Sequence, residues 1–241
     1  MSHITGADYV PSLHLSTPEY WCYTRPMHDA PVASTLAPHL PFKYVGGDRA
    51  IDLVNTVDWT RRGPVDERMT SYERLTRWAE GSGSITPRLG DALRARARER
   101  PRDADRAHRD ALELRWTLRR IFVAIAHGER PPASAIEELN QRVTLVMARL
   151  QLVPDRTVDG ASMRWSWAGA GERLDSVLWP VVRSAAELLV SDEATRIHEC
   201  GAEDCGWQYV DRSRNGLRRW CQMEVCGTRE KSRRRASKRS A

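Results

Sequence analysis

Four cysteines near the C-terminus are the residues whose type and spacing most clearly predict chemistry. Cys200 and Cys205 form one C-x4-C pair, Cys221 and Cys226 form a second, and fifteen residues separate the two pairs. Four thiolate sulfurs brought together in a tetrahedron make a closed structural site for Zn²⁺. The alternative is four buried free thiols. The matched spacing favours one structural zinc ion, and four protein ligands leave no open position for catalysis.

The residues around the cysteines predict a small finger. Glycine follows Cys200, Cys205 and Cys226, which lets the backbone turn closely around a metal. Residues 207–210 are predicted to form a strand. Asn215-Gly216 indicates a tight turn, after which 217–221 returns as a second strand and Cys226 begins a helix. A knuckle, a hairpin and a helix that supplies the last ligand together predict a treble-clef-like zinc finger.

The electric charge of the chain is concentrated at this end. Residues 212–241 contain eleven Arg or Lys and two Asp or Glu, for a net +9, whereas the whole chain has +6 and the rest therefore −3. Basic side chains neutralise phosphates and release counterions, so the tail predicts binding to double-stranded DNA. The alternative is a solvated charged end that only aids solubility.

The basic residues divide into two predicted classes. Arginines within the finger can be held rigidly enough to contact bases, whereas those of the tail would follow the phosphates. The candidate base contacts are Arg214, Arg218, Arg219 and Arg229. The candidate phosphate contacts are Arg233, Arg234, Arg235, Lys238 and Arg239, and Lys231 is a further candidate DNA contact. The aromatic Trp207, Tyr209 and Trp220 could stack on bases, but packing the finger's small core is the favoured interpretation.

The finger resembles the CGNR zinc-finger family. The resemblance rests on Trp207, Asp211-Arg212-Ser213, Arg218-Arg219-Trp220-Cys221 and Cys226-Gly227-Thr228-Arg229-Glu230-Lys231. Thr228 stands where the family usually has Asn, and Thr is also able to cap a helix. Upstream, Gly46-Gly47 with Leu53-Val54-Asn55-Thr56 resembles the opening of the ABATE domain, which commonly precedes this finger. The resemblance implies a bacterial transcription regulator with a sensing N-terminal domain and a DNA-binding finger.

An effector site in the sensing domain has four candidate residues. Asn55 and Thr56 follow an apolar run and could orient a ligand, or could cap a turn. Arg115 and Arg119 lie four residues apart on a predicted helix and could bind an anionic effector. A solvated helix surface is the favoured alternative for the two arginines.

Apolar spacing predicts the elements that carry these residues. Capping patterns at Thr70-x-x-Glu73, Thr86-Pro87 and Ser134-x-x-Glu137 open helices, and a long helix precedes Gly128. Residues 152–168 alternate as a β-hairpin with a turn at Asp159-Gly160, and a helix follows over about 172–190. The fold class is α+β: a mostly helical N-terminal domain with a small β-hairpin, then the finger.

The expected organisation is a flexible leader over 1–41, an ABATE-like sensor domain over 42–195, and the finger with its basic tail over 196–241. The proline-rich leader receives no function. No apolar run is long enough to cross a bilayer and no signal peptide is recognisable, so we expect a cytoplasmic protein without a membrane partner. A reducing compartment also favours metal ligation by clustered cysteines over disulfides.

The favoured function is a DNA-binding transcription regulator controlled by a small-molecule effector. Palindromic recognition would require two fingers and therefore a homodimer. One alternative is an RNA- or ribosome-associated zinc protein. A second is an enzyme of unknown reaction in the larger domain, but HExxH, GxSxG and a phosphate-binding glycine loop are all lacking, so we expect no catalysis.

Overall fold

The computed structural model describes residues 35–60, 62–155 and 162–239. Helices dominate these ranges. The α-helices are α1 (Arg49–Val54), α2 (Tyr72–Gly81), α3 (Pro87–Glu99), α4 (Pro101–Ala126), α5 (Ala133–Met147), α6 (Trp179–Val190) and α7 (Thr228–Arg239). The strands are β1 (Thr35–Leu36), β2 (Val57–Thr60), β3 (Gly63–Glu67), β4 (Leu150–Pro154), β5 (Met163–Trp167), β6 (Ile197–Glu199) and β7 (Gln208–Val210).

A short helix and a small sheet open the described chain. β3 pairs with β1 in parallel and with β2 antiparallel. The apolar run 51–54, compatible with a helix or a strand, forms α1, whose start is capped by the Asp48 carboxylate at 2.8 Å from the Ala50 amide. Residues 42–45 do not form a strand. These residues form a loop held by the Gly46 amide, which donates to Asp52 Oδ1 at 2.8 Å.

The predicted helices are present, with two caps displaced. Thr86 caps α3 as expected, and its side chain accepts from Leu89 N. The N-cap of α2 is Ser71 rather than Thr70, because the Ser71 side chain reaches Arg74 N. α5 begins at Ala133 without a side-chain cap. Ser134 instead accepts a hydrogen bond from Arg120 Nη2 at 2.6 Å, so its hydroxyl joins α4 to α5.

The β-hairpin and the last helix of the body, the part of the chain before residue 196, also match the prediction from the sequence. β4 and β5 pair antiparallel, with Leu152 opposite Trp165. The expected turn at 159–160 lies outside the described residues. The helix expected over about 172–190 begins later, at Trp179. A 3-10 turn covers Leu174–Leu178, and Pro180 lies in the first turn of α6.

The finger differs from its expected topology in one strand. β7 forms as predicted, but 217–221 is not a strand. The partner of β7 is β6, which precedes the first cysteine pair, so the loop between these two strands carries Cys200 and Cys205. A π-turn over Met223–Gly227 holds Cys226 and leads directly into α7. The cluster of four cysteines and α7, the helix that follows it, confirm the expected zinc-finger class.

One hydrophobic core joins body and finger. α4 is its central helix and contacts α1, α2, α5 and β6. The largest buried side chains extend from Trp78 and Phe122 in the body to Tyr209 in the finger. No described helix combines the length and apolarity needed to span a membrane. Most of the expected leader lies outside the described residues, although 35–41 contains β1 and the buried Ala37.

Candidate metal centre and basic helix

The four predicted ligand sulfurs converge on one point. The Sγ atoms of Cys200, Cys205, Cys221 and Cys226 all lie within 4.8 Å of one another. Cys221 Sγ lies 3.8 Å from Cys205 Sγ and 3.6 Å from Cys226 Sγ. A zinc ion bound by sulfur at about 2.3 Å in a tetrahedron places its ligands at about 3.8 Å from one another. The donor set and its spacing therefore fit one structural zinc ion.

Backbone hydrogen bonds position the cysteines. Cys200 N donates to Trp207 O at 2.8 Å, which closes the first knuckle across the β6–β7 pair. Cys221 N donates to Cys200 Sγ at 3.3 Å, and Cys226 N donates to Gln222 O at 3.0 Å. Two distant segments of the finger are thus held in register around the sulfurs. An amide donor to a ligand sulfur also stabilises the thiolate form that zinc requires.

The electrostatics of the cluster favour a bound cation. Burial, together with the charge of the Cys200 thiolate, raises the pKa of Cys226 above its ordinary value. Four neighbouring thiolates repel one another, so they can all ionise only beside a positive charge. Arg229 supplies part of that charge, because its Nη2 lies 3.5 Å from Cys226 Sγ. A divalent ion would supply the rest.

The aromatic residues of the finger pack its core. Trp207 is 5% and Tyr209 1% exposed, and the Tyr209 hydroxyl donates to Arg218 O at 2.6 Å. Lys43 and Arg68 of the body lie over the Trp207 ring, each 5.7 Å from its centre. Both rings are therefore enclosed by protein, as the core interpretation predicts.

The candidate DNA contacts fall into distinct environments. Arg214 and Arg219 are exposed on the finger. Arg218 is enclosed: its Nη2 donates to Val45 O at 2.9 Å and Cys221 O at 2.6 Å. Its guanidinium also lies 4.1 Å from the centre of the Tyr209 ring. Arg218 therefore braces the finger against the body, and its side chain has little capacity left for a base.

The basic tail residues lie on α7. Every side chain from 231 to 239 is exposed, and Glu230 is the one buried residue of this helix. Lys231, Arg234, Arg235, Lys238 and Arg239 extend into solvent, whereas the guanidinium of Arg229 contacts Cys226 Sγ. Arg233 differs, because it forms ion pairs with Glu203 in the first knuckle and with Glu230, the latter at 2.6 Å. These pairs tie the start of α7 to the metal-binding loop.

The four candidate effector residues are all buried, and two of them join body to finger. Asn55 Nδ2 donates to Gln208 O at 2.8 Å, and Gln208 N donates to Asn55 Oδ1 at 3.0 Å. Arg119 Nη1 donates to Gly206 O at 2.6 Å, and its guanidinium lies 4.3 Å from the centre of the Trp59 ring. The Asn55 side chain therefore pairs with the backbone of β7 as a neighbouring strand would. Arg119 holds in place the first knuckle, which is the loop that carries Cys200 and Cys205.

The other two candidates form a buried polar cluster inside the body. Arg115 is paired with Glu67 through both carboxylate oxygens, and its Nη1 also donates to Thr56 Oγ1 at 3.0 Å. The solvated helix surface favoured for the two arginines is wrong, since Arg115 is 8% and Arg119 2% exposed. The polarity of the two arginines indicated a solvent-exposed position. In the structure, Glu67 is the buried partner of Arg115, and the Gly206 carbonyl is the buried partner of Arg119.

The docking role of Gly206 and the partner role of Glu67 were missed by the sequence analysis. Gly206 N donates to Trp59 O at 2.8 Å, and a Cβ on Gly206 would lie 2.9 Å from Arg119 Nη2 and 3.1 Å from Trp59 Cβ. The glycine after Cys205 thus permits close docking on the body as well as a turn. Glu67 carried no local signal, because its partner Arg115 lies 48 residues away along the chain.

Comparison with known families agrees with this geometry. Residues 47–192, more than half of the chain, match the ABATE family, which carries the description "Putative stress-induced transcription regulator". The chain belongs to the ABATE family. Residues 196–239 of this ABATE protein match a CGNR zinc finger, so the two families follow one another in the expected order. A search of curated proteins found no match.

Proposed function

We propose that this ABATE protein is a transcription regulator that binds double-stranded DNA through its zinc finger and α7. The main support is the surface of α7. Its residues 231–239 are exposed on all sides and offer no apolar face to the body. A helix whose residues 231–239 are all exposed and which carries arginine and lysine around its circumference suits a groove lined on both sides by phosphates.

The finger supplies the rigid part of this surface. Arg214 and Arg219 are exposed on the finger, and Arg229 lies in the first turn of α7, where its Nη2 also contacts Cys226 Sγ at 3.5 Å. These three arginines are the proposed base contacts, because a metal-stapled backbone holds their starting points in place. Arg218 is left out, since its guanidinium is engaged with backbone carbonyls.

A charge-matched pair of variants tests the proposal. The tail variant carries Arg234→Gln, Arg235→Gln, Lys238→Gln and Arg239→Gln. The control carries Arg98→Gln, Arg102→Gln, Arg109→Gln and Arg130→Gln, four exposed arginines of the body. Fluorescence anisotropy with duplex DNA at several salt concentrations gives the slope of log K against log salt. The tail variant should lose up to about 0.9 of slope per lost phosphate contact, and the control should match the wild type.

The same titrations separate DNA from RNA. A structured RNA of equal length, measured at equal salt, should bind more weakly than duplex DNA. Genome-wide selection of bound fragments should yield a short motif that disappears in Arg214→Gln/Arg219→Gln. Equal slopes for the tail and control variants would contradict the proposal, and preferential binding to RNA would replace DNA with RNA as the partner.

We further propose that an effector bound to the body changes DNA affinity through the junction with the finger. The junction contains Asn55, Arg119 and Gly206, whose hydrogen bonds are buried and bind both parts together. A shift of α1 or α4 would therefore move the first knuckle. The test is a metabolite screen for altered DNA affinity of the full chain, and the effect should vanish in Asn55→Ala.

A further inference from the structure

Three cysteines of the metal centre line an open cleft between the body and the finger. The cleft has a volume of about 270 Å³, and its lining includes Cys205, Cys221 and Cys226. Trp59 and Lys43 of the body form part of the opposite wall. Cys205 is the least buried of the four cysteines, since the other three are 3–6% exposed. The cleft therefore offers a small solute a route to Cys205 in the folded finger.

We infer that this cleft makes the metal centre a site of reversible oxidation by hydroperoxides, with Cys205 and Cys221 forming a disulfide. Oxidation of cysteine follows thiolate character and access, and ligation to zinc keeps a cysteine in its thiolate form. Cys205 has the access. Cys221 Sγ lies 3.8 Å away and borders the same cleft, whereas Cys200 does not line it.

The reaction balances with one hydroperoxide. The Cys205 thiolate attacks the terminal peroxide oxygen and the O–O bond breaks. The departing hydroxide of hydrogen peroxide, or alkoxide of an organic hydroperoxide, takes a proton to become water or an alcohol. The resulting Cys205 sulfenic acid is attacked by the Cys221 thiolate. An S–S bond forms, the S–O bond breaks, and the second hydroxide becomes water. Two thiolates lose two electrons to the peroxide, and the site keeps only two of the four ligands that hold its zinc ion.

The disulfide would release α7 from its anchor. Cys226 lies in the π-turn that leads into this helix, and Thr228 is its first residue. Closing a bond of about 2.05 Å requires the two sulfurs to approach by almost half of their present separation. Loss of the ion and movement of Cys221 remove the constraint on 221–227. Oxidation would therefore reduce nucleic-acid binding, a consequence that rests on the proposed function, whereas the disulfide itself does not.

Hydrogen peroxide tests the inference on the zinc-loaded full chain. Cys22→Ser removes the remaining cysteine, which lies outside the described residues. We expect peroxide to release about one zinc ion per chain to a chromogenic chelator. Two of the four thiols should disappear, and fragmentation of the linked tryptic peptides 197–212 and 220–229, each of which carries two of the cysteines, should join Cys205 to Cys221. Reduction with dithiothreitol and added zinc should restore the metal content. Retained zinc with four free thiols, or a disulfide between any other pair, would overturn the inference.

A matched pair of variants tests the role of the cleft. Val225 lines the cleft and is 45% exposed, while Met223, 50% exposed, lies outside it. Val225→Trp should slow zinc release several-fold at unchanged initial zinc content, and Met223→Trp should not. Equal rates in both variants would overturn access through the cleft. Oxidation that proceeds as expected in a protein without DNA affinity would contradict the proposed function alone.

Discussion

Asn55 shows how one side chain can substitute for a neighbouring strand. Its amide pairs with both backbone groups of Gln208 at the junction of body and finger. Asn55→Ala would leave a buried N–H and a buried C=O without partners. Each orphaned group costs about 1–3 kcal/mol, so the free energy of unfolding should fall by about 2–6 kcal/mol. Urea unfolding of the zinc-loaded chain measures the change.

Asn140 provides the control for this substitution. It lies exposed on α5, so Asn140→Ala removes the same amide group from a solvated position. The unfolding free energy of this variant should stay within about 0.5 kcal/mol of the wild type. Similar losses in both variants would show that the Asn55 amide is not a special support of the junction.

Asp52 predicts a loss of stability as the pH rises. Burial raises the pKa of its carboxyl from 3.8 to about 6, against the hydrogen bond from Gly46 N, and the charge of Asp48 adds to the increase. The folded state holds this proton more tightly than the unfolded state. The associated stability is complete below about pH 4 and is lost as the pH rises through 6. Asp52→Asn should therefore stabilise the chain at pH 7.5 by up to about 3 kcal/mol.

The measurement for Asp52 is a difference between variant and wild type. Both proteins are unfolded by urea at pH 5 and pH 7.5 with zinc in excess, because metal affinity also changes with pH. Asn retains an oxygen that can accept from Gly46 N. The advantage of the variant should grow between the two pH values, and a constant difference would refute the assignment.

Polar residues of the body were the hardest to place from the sequence. Arg115 and Arg119 share a helix face, which is where solvated residues also lie. Their burial depends on Glu67 and the Gly206 carbonyl, 48 and 87 residues away along the chain. The cysteines were placed correctly because metal ligation requires four sulfurs and only one set of spacings supplies them. Chemistry that is local in sequence was predictable, and long-range pairing was not.

At the scale of elements, apolar spacing located helices better than it located their ends. The helix expected after Thr70-x-x-Glu73 formed as α2, whose buried face contains Leu75 and Trp78, because burial of one face decides where a helix forms. The cap at Ser71 instead of Thr70 depends on where the backbone leaves the helical conformation. The prediction of a second strand over 217–221 was wrong because strand pairing, like the position of a cap, depends on the path of the backbone. β7 found its partner before the knuckle rather than after the Asn215-Gly216 turn.

Substitution of Glu230 tests whether this residue positions α7 or acts only through its charge. Its carboxylate accepts from Glu203 N at 3.3 Å and pairs with Arg233 at 2.6 Å, which fixes the helix against the first knuckle. Removing an acid from a basic helix should by itself raise affinity for DNA. Glu230→Ala should instead lower it several-fold, because α7 loses its orientation. Anisotropy titrations at constant salt measure this effect.

Glu224 is the matched control on the same finger. It is exposed in the π-turn before α7. Glu224→Ala removes the same charge without disturbing the clamp, so DNA affinity should stay constant or rise slightly. An increase in both variants would show that Glu230 acts only through its charge.

At the scale of the whole molecule, the finger and the body share one hydrophobic core. The sequence predicted two domains with different tasks, and the family matches follow that order. Yet Trp59 O accepts from Gly206 N, and Gly46 O accepts from Val210 N, both at 2.8 Å. Polar groups buried at this junction are satisfied only when both parts are folded. A signal should therefore cross it through small shifts of packed elements rather than through a hinge.

Metal removal should consequently weaken the body as well as the finger. Zinc binds the folded finger, so its binding free energy adds to the stability of everything that unfolds with the finger: about 4 kcal/mol at about 1,000 times Kd. Hydrogen exchange before and after chelation measures which elements share this stability. Amides of α1 and of the α4 segment 115–126 should exchange faster without zinc and recover when zinc returns. Two independent domains would lose protection only from residue 196 onward, because the hydrogen bonds of Asn55 and Arg119 would then contribute nothing to the body.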